Sequence, residues 1–138
     1  MAKDIIHHAV KNALIKDGWT ITADPFKIEY GEIKVQADIA AERRPFAAIK
    51  SGRKIVVEIK SFLGASLVYE FERALGQYRF YPRLLSAIEP ETEIWLAISE
   101  DIYESFFTGL GIQFIVQTED ISLVSVNIEK EEIVQWIK

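Results

Sequence analysis

The stretch Glu93-Ile-Trp-Leu-Ala-Ile-Ser99 is apolar at nearly every position. A strand with one wet face alternates apolar and polar side chains, so an unbroken run of this kind marks a strand covered on both faces. Such a strand needs packed layers on either side of its sheet. Residues 54–61 of the segment KIVVEIKSF (Lys54–Phe62) read as a second, mostly apolar strand. Glu58 and Lys60 interrupt it, two positions apart and therefore on one face.

The rest of the chain supplies the layers. Ile6, Val10, Ala13 and Leu14 recur at helical spacing between Lys3 and Asp17, and Gly18 provides a C-terminal stop. WTITA (19–23) reads as a short strand ended by Asp24-Pro25, and residues 26–41 as two strands turning near Tyr30-Gly31-Glu32. A polar connection with Pro45 and Ser51-Gly52 as breakers leads to the 54–61 strand. Ser66 is placed to cap a helix over 67–88, which Pro82 is expected to kink or divide. DIYESFF (101–107) reads as a short helix ended by Gly109. IQFIVQ (112–117) and ISLVSVN (121–127) read as strands, and EKEEIVQWIK (129–138) as a terminal helix with acids in its first turn. The expected architecture is one α/β sandwich over residues 1–138, with a mixed central sheet flanked by helices.

With 49% hydrophobic residues in 138, the chain can bury one real core. It has no cysteine, which excludes disulfides, thiolate zinc sites and cysteine nucleophiles. No apolar run approaches the roughly 20 residues of a membrane span. An acid and two histidines stand in MAKDIIHHAVKNAL where a signal peptide would be uninterrupted, so a cytoplasmic location is expected. Net charge is −5, but it is unevenly spread. Residues 1–83 hold 14 bases against 10 acids, and residues 84–138 hold 2 bases against 11 acids. Between Arg43 and Lys54 lie Arg43, Arg44, Lys50, Arg53 and Lys54 and no acid. That stretch can face a polyanion such as DNA, or it can be a solvated basic loop. Trp19, Trp95, Trp136, Phe106 and Phe107 have no basic interleaving of the kind that single-strand binders use, and are read as core or interface.

Asp38 falls near the end of the strand that precedes the Glu58-x-Lys60 strand. If the two strands are neighbours, both carboxylates converge, and a divalent cation relieves their repulsion. Hard oxygen donors of this kind suit Mg²⁺ or Mn²⁺, with Lys60 beside them to orient water or meet phosphate charge. A bare Glu-x-Lys on its own fits better as a pair on the wet face of an antiparallel edge strand, since such pairs are common on solvated sheet faces. Two other features bear on the choice. Gln77 and Tyr81 share a face of the following helix, and His7 lies on the first helix with Asp4 one turn before it.

The ordered set of His7, Asp38, Glu58-x-Lys60 and Gln77-x-x-x-Tyr81 resembles the PD-(D/E)xK nuclease superfamily, particularly its RecB-like branch. Over nearly the whole chain, D-x-x-H-x-x-V-K (Asp4–Lys11), KDGWTIT (Lys16–Thr22), VEIKSF (Val57–Phe62) and ALGQY (Ala74–Tyr78) resemble the XisH family of fdxN element excision controlling factors. The resemblance implies a restriction-endonuclease-like fold and a role in site-specific excision of a DNA element. It implies Mg²⁺ or Mn²⁺ on Asp38 and Glu58, Lys60 assisting water, and Gln77 and Tyr81 bracing the site. His7, His8 and Asp4 compete for the first-helix metal position. The implied partners are DNA, a recombinase and a protein of the XisI type, and the superfamily's many dimers allow a homo-oligomer. Ala37, not proline, precedes Asp38. The alternative is a catalytically silent DNA-binding or recombinase-accessory protein of the same fold.

Overall fold

The computed structural model describes residues 2–43 and 52–138, so Arg44 and Lys50 lie outside the described residues. Helix α1 (Ala2–Lys16) opens the chain. Gly18 at φ 97 closes it, with Gly18 N–H donating to the Ile15 carbonyl and Trp19 N–H to Leu14, each at 3.0 Å. A left-handed residue is needed there, and glycine takes it without steric cost. Strands β1 (Thr20–Ala23), β2 (Phe26–Tyr30), β3 (Ile33–Ala37), β4 (Ile39–Arg43) and β5 (Arg53–Ile59) follow. Helix α2 (Leu67–Ile88) leads to β6 (Glu93–Ser99). Helix α3 (Glu100–Ile102) continues as a π-helical turn over Tyr103–Phe107, and α4 (Leu110–Thr118), β7 (Leu123–Asn127) and β8 (Glu132–Ile137) complete the fold.

The fold is mixed α/β: a six-stranded sheet in the order β1-β4-β5-β6-β7-β8, flanked by helices, with β2 and β3 forming a separate hairpin. The β5–β6 and β6–β7 pairs are parallel and the other pairs antiparallel. Each face carries its own core. On one side Val10, Ala13 and Leu14 of α1 pack with Val57, Ala97 and Val126 and with a cluster of Trp19, Trp95 and Trp136. Trp136 contacts the other two rings at centroid distances of 5.8 and 4.9 Å. On the other side Phe71, Ala74, Tyr81 and Leu85 of α2 pack on Val56, Leu96 and Ile98, together with Phe62 and Phe107. The EIWLAIS strand is thus buried on both faces, and the tryptophans and Phe107 belong to the core.

Four expectations are corrected. IQFIVQ is helical because β6 and β7 run parallel, and a parallel pair needs a crossover, usually helical. Its inward residues Ile112, Ile115 and Val116 are spaced three and one apart, a helical stripe that its β-branched composition obscures. The chain's end is strand β8, not a helix. Ile133 and Trp136, three apart, both reach the tryptophan core because the β7–β8 register shifts between them, and β8 pairs antiparallel with β7 through a short turn. Lys130 N–H donates to Asn127 Oδ1 at 2.9 Å in that turn, so the acids Glu129 and Glu131 crown a hairpin rather than a helix start. Pro82 does not divide α2, whose buried residues Tyr78, Tyr81, Leu84 and Leu85 continue across it. Finally, the second of the two strands expected over residues 26–41 is itself two, β3 and β4. β3 pairs with β2, β4 pairs with β5, and Asp38 is the single residue where the chain changes sheets. No helix among the described residues is long and apolar enough to cross a membrane.

Candidate metal centre

The antiparallel register Ile39↔Val57 brings Asp38 beside Glu58. The Asp38 Oδ2 accepts a hydrogen bond from the Ile59 backbone N–H at 2.7 Å, which ties the carboxylate to the residue between Glu58 and Lys60. β5 has β4 on one side and β6 on the other, so Glu58 is not on an edge strand. It shares the parity of Val56, whose side chain belongs to the α2-side core, and is only 6% exposed.

Lys60 lies just past the end of β5, its N–H donating to the Ala97 carbonyl at 3.0 Å. Its Nζ is 3.5 Å from Glu58 Oε2. Beyond it Phe62 adopts φ 52 and buries its ring among Phe71, Phe106 and Phe107. A non-glycine residue in this region costs about 1–3 kcal/mol. Burial of a Phe side chain, on the order of 2–3 kcal/mol, offsets it and fixes the path of the chain leaving Lys60.

Burial is the larger cause pushing the Glu58 carboxyl up to about 7, and the Asp38 charge adds to it while Lys60 opposes it. Glu58 Oε1 is buried without a hydrogen-bond partner. From α2, Tyr81 donates its hydroxyl proton to the Gln36 carbonyl at 3.1 Å and accepts a long bond from Gln77 Nε2 at 3.4 Å. Burial raises the Tyr81 hydroxyl pKa, and the charges of Glu58 and Asp38 raise it further. Gln77 Oε1 is likewise buried and unpartnered. Five of the residues singled out in the sequence, Asp38, Glu58, Lys60, Gln77 and Tyr81, therefore converge at the carboxyl end of β5. Open α/β sheets characteristically bind ligands at that end of their strands.

A cleft of about 400 Å³ opens there, lined by Asp38, Glu58, Lys60, Ser61, Glu70 and Arg73 and by the first turns of α1 with Asp4 and His7. α1 packs on the opposite face of the sheet, and its start reaches round to this rim. His7 Nε2 lies 2.8 Å from Asp24 Oδ1, and Lys11 Nζ lies 2.8 Å from Asp24 Oδ2. Burial alone would raise the Asp24 carboxyl, but these two bonds outweigh it and hold its pKa below the ordinary value. Among the described residues no three His, Cys, Asp or Glu side chains are grouped to hold a metal. The available protein donors are thus the Asp38 and Glu58 carboxylates, one with a vacant oxygen. That set fits a hard cation such as Mg²⁺, which is commonly bound through one or two carboxylates and keeps several waters.

The basic stretch is placed differently. Arg43 Nη2 lies 3.1 Å from Asp17 Oδ2 and its guanidinium stacks 5.0 Å from the Trp19 ring. Arg53 grips Glu93 through both its Nε and Nη2, at 3.1 and 2.9 Å, and Lys54 pairs with Glu89. These acids come partly from the acidic half of the chain, which cancels some of the expected asymmetry. Arg53 and Lys54 begin β5 while Glu58 lies near its end and Lys60 just past it, so Arg53 and Lys60 are roughly 23 Å apart along the chain direction.

Arg73, Glu70 and Asp24 were not legible as site residues. Arg73 lies four before Gln77 on the same helical face, and the spacing that pairs Gln77 with Tyr81 also reaches it. Nothing in the sequence joins Asp24 to His7.

Two solved structures are similar over almost the entire chain. A crystal structure of an XisH family protein from Nostoc punctiforme is 38% identical, with a TM-score of 0.88, covering 98% of this chain and 100% of that one. A fdxN element excision controlling factor protein from Anabaena variabilis is 39% identical, with a TM-score of 0.88, covering 98% and 99%. No curated protein matches. The family model described as XisH protein matches residues 1–134. By that match and by the shared fold at this identity, the chain belongs to the XisH family.

Proposed function

We propose that this protein acts in the excision of a DNA element, with a site for Mg²⁺-dependent hydrolysis of DNA phosphodiesters built on Asp38, Glu58 and Lys60. The observation that carries the reading is Glu58: a carboxyl buried to 6% exposure, with one oxygen unpartnered, set beside a second carboxylate. Burying such a group costs stability unless something binds it. Its placement relative to the following Lys60 and the Gln77–Tyr81 face of α2 supports assignment to the PD-(D/E)xK superfamily.

In this reading Asp38 and Glu58 hold the ion, which when bound offsets phosphate charge and lowers the pKa of a water. Asp38 is pre-set by the Ile59 N–H, so it loses little freedom on binding. Lys60 holds the attacking water and counters charge developing on the phosphate. Tyr81 and Gln77 brace the chain beside the carboxylates from α2, Tyr81 through the Gln36 carbonyl two residues before Asp38 and Gln77 through Tyr81. A water oxygen adds to phosphorus, one P–O bond breaks, the attacking water gives its proton to solvent, and the leaving oxygen takes one from solvent. With Mg²⁺ or Mn²⁺, purified protein should nick or cut DNA, and Lys60→Ala should lose about 10²–10⁴-fold of that rate while keeping its fold. Equal rates in the two proteins would overturn the assignment.

A second reading is an accessory protein of the same fold that binds DNA or a recombinase without turnover, in complex with a partner of the XisI type. The absence among the described residues of a third grouped metal ligand favours it. Salt-sensitive DNA binding with no cleavage under any divalent ion would establish it.

A further inference from the structure

We infer that Arg73 is the phosphate-gripping residue of the cleft, taking a non-bridging oxygen of a DNA strand laid along α2 toward Asp38 and Glu58. The inference rests on the reading that DNA enters this cleft, and it adds the residue that would draw the strand in. Four carboxylates line the cleft, Asp4, Asp38, Glu58 and Glu70, so an approaching phosphodiester meets repulsion unless a cation answers it. The cationic candidates on the wall are Lys60, His7 and Arg73. Lys60 is held by Glu58 and His7 by Asp24. Arg73 is exposed and takes part in none of the ion pairs among the described residues, whereas Arg43, Arg53, Lys54 and Arg79 each have an acid.

The acid one turn before it on its own helix does not claim it. Glu70, one turn earlier, accepts the Gly64 N–H through Oε2 at 2.6 Å, and the two groups fit closely because Gly64 has no side chain. A Cβ at Gly64 would stand 2.6 Å from that oxygen. Arg73, Gln77 and Tyr81 form a row at successive i, i+4 positions, passing from the exposed rim to the buried carboxylates. A guanidinium at the outer end of that row can present two N–H groups to one phosphate. The strand it holds would place the neighbouring phosphodiester over the unpartnered Glu58 oxygen.

The test is DNA binding by the full chain in EDTA, with affinity measured across a salt series for wild type, Arg73→Ala, Arg73→Lys and Glu58→Gln. The proposal predicts roughly tenfold weaker binding for Arg73→Ala at low salt and a log–log salt slope smaller by about 1, with Arg73→Lys recovering the slope. At pH 8, where the Glu58 carboxyl is ionised, Glu58→Gln should bind more tightly than wild type, because it removes a negative charge from the cleft, and weaker binding would count against DNA entering there. Wild-type affinity and slope in Arg73→Ala would overturn the assignment, as would failure of the wild-type protein to bind DNA. Binding lost with Arg73 but no cleavage under any metal would overturn the hydrolytic reading alone and leave the Arg73 assignment standing.

Discussion

Replacing Glu58 by Gln should make the metal-free protein more stable, by a margin that opens as pH rises from the ordinary 4.5 toward about 7 and is full above it. Its carboxyl is held at about 7 rather than the ordinary 4.5, chiefly by burial and next by Asp38. The folded state therefore keeps a proton that the unfolded chain releases, and between those values stability falls as pH rises. At 1.4 kcal/mol per pH unit, the ionised side chain costs the fold on the order of 3 kcal/mol at pH 8. Gln has nearly the same shape and no charge, so most of that cost disappears. Lys60 loses its partner in the variant, but it is partly exposed and the loss amounts to about 1 kcal/mol at most. A net gain of about 2 kcal/mol raises Tm by roughly 6–8 °C in a chain of this size. The assay is thermal unfolding by circular dichroism in EDTA from pH 5 to 8, comparing wild type and Glu58→Gln. The gap should open as pH rises and nearly vanish at pH 5. Saturating Mg²⁺ at pH 8 should stabilise wild type and not the variant. A pH-independent gap, or a variant less stable than wild type at pH 8, would refute the argument that Glu58 is a strained, buried charge.

Two structural predictions stand apart from the site. Tyr78 Oη accepts the buried Ser122 N–H at 2.8 Å, so Tyr78→Phe orphans that donor and should cost about 1–3 kcal/mol in urea unfolding; a loss under a few tenths would contradict the bond. Ser66 Oγ accepts the Tyr69 N–H at 3.2 Å as the N-cap of α2, so Ser66→Ala should cost about 1 kcal/mol and Ser66→Asp should recover it.

The candidate site was more legible in the sequence than the end of the fold. Asp38, Glu58, Lys60, Gln77 and Tyr81 could be gathered because their order and local spacings, two along a strand and four along a helix, resemble the PD-(D/E)xK pattern, whereas spacing alone left each an ordinary polar residue. The α2 boundaries and the EIWLAIS strand were legible without that pattern: a cap, a period and an unbroken apolar run are local signals. IQFIVQ and the C-terminal segment misled because their structure is set by distant contacts. Ile112 and Val116 become helical to bridge two parallel strands, and Trp136 becomes a strand residue to reach Trp19 and Trp95. The break at Asp38 was hidden because no glycine or proline marks it, and only the pairing partners of the two strands reveal it. The pairing of Arg53 with Glu93 was equally out of reach, since residues 40 apart meet only when β5 and β6 lie side by side.

Under the proposed function, Asp38 and Glu58 together would hold a divalent cation. Anomalous diffraction from crystals of the protein soaked in Mn²⁺ at pH 8 tests it most directly. The account predicts one strong peak bridging the two carboxylates near the carboxyl end of β5, absent in crystals of Glu58→Gln. A saturating soak that leaves this position empty, with both carboxylates ordered as described, would contradict it.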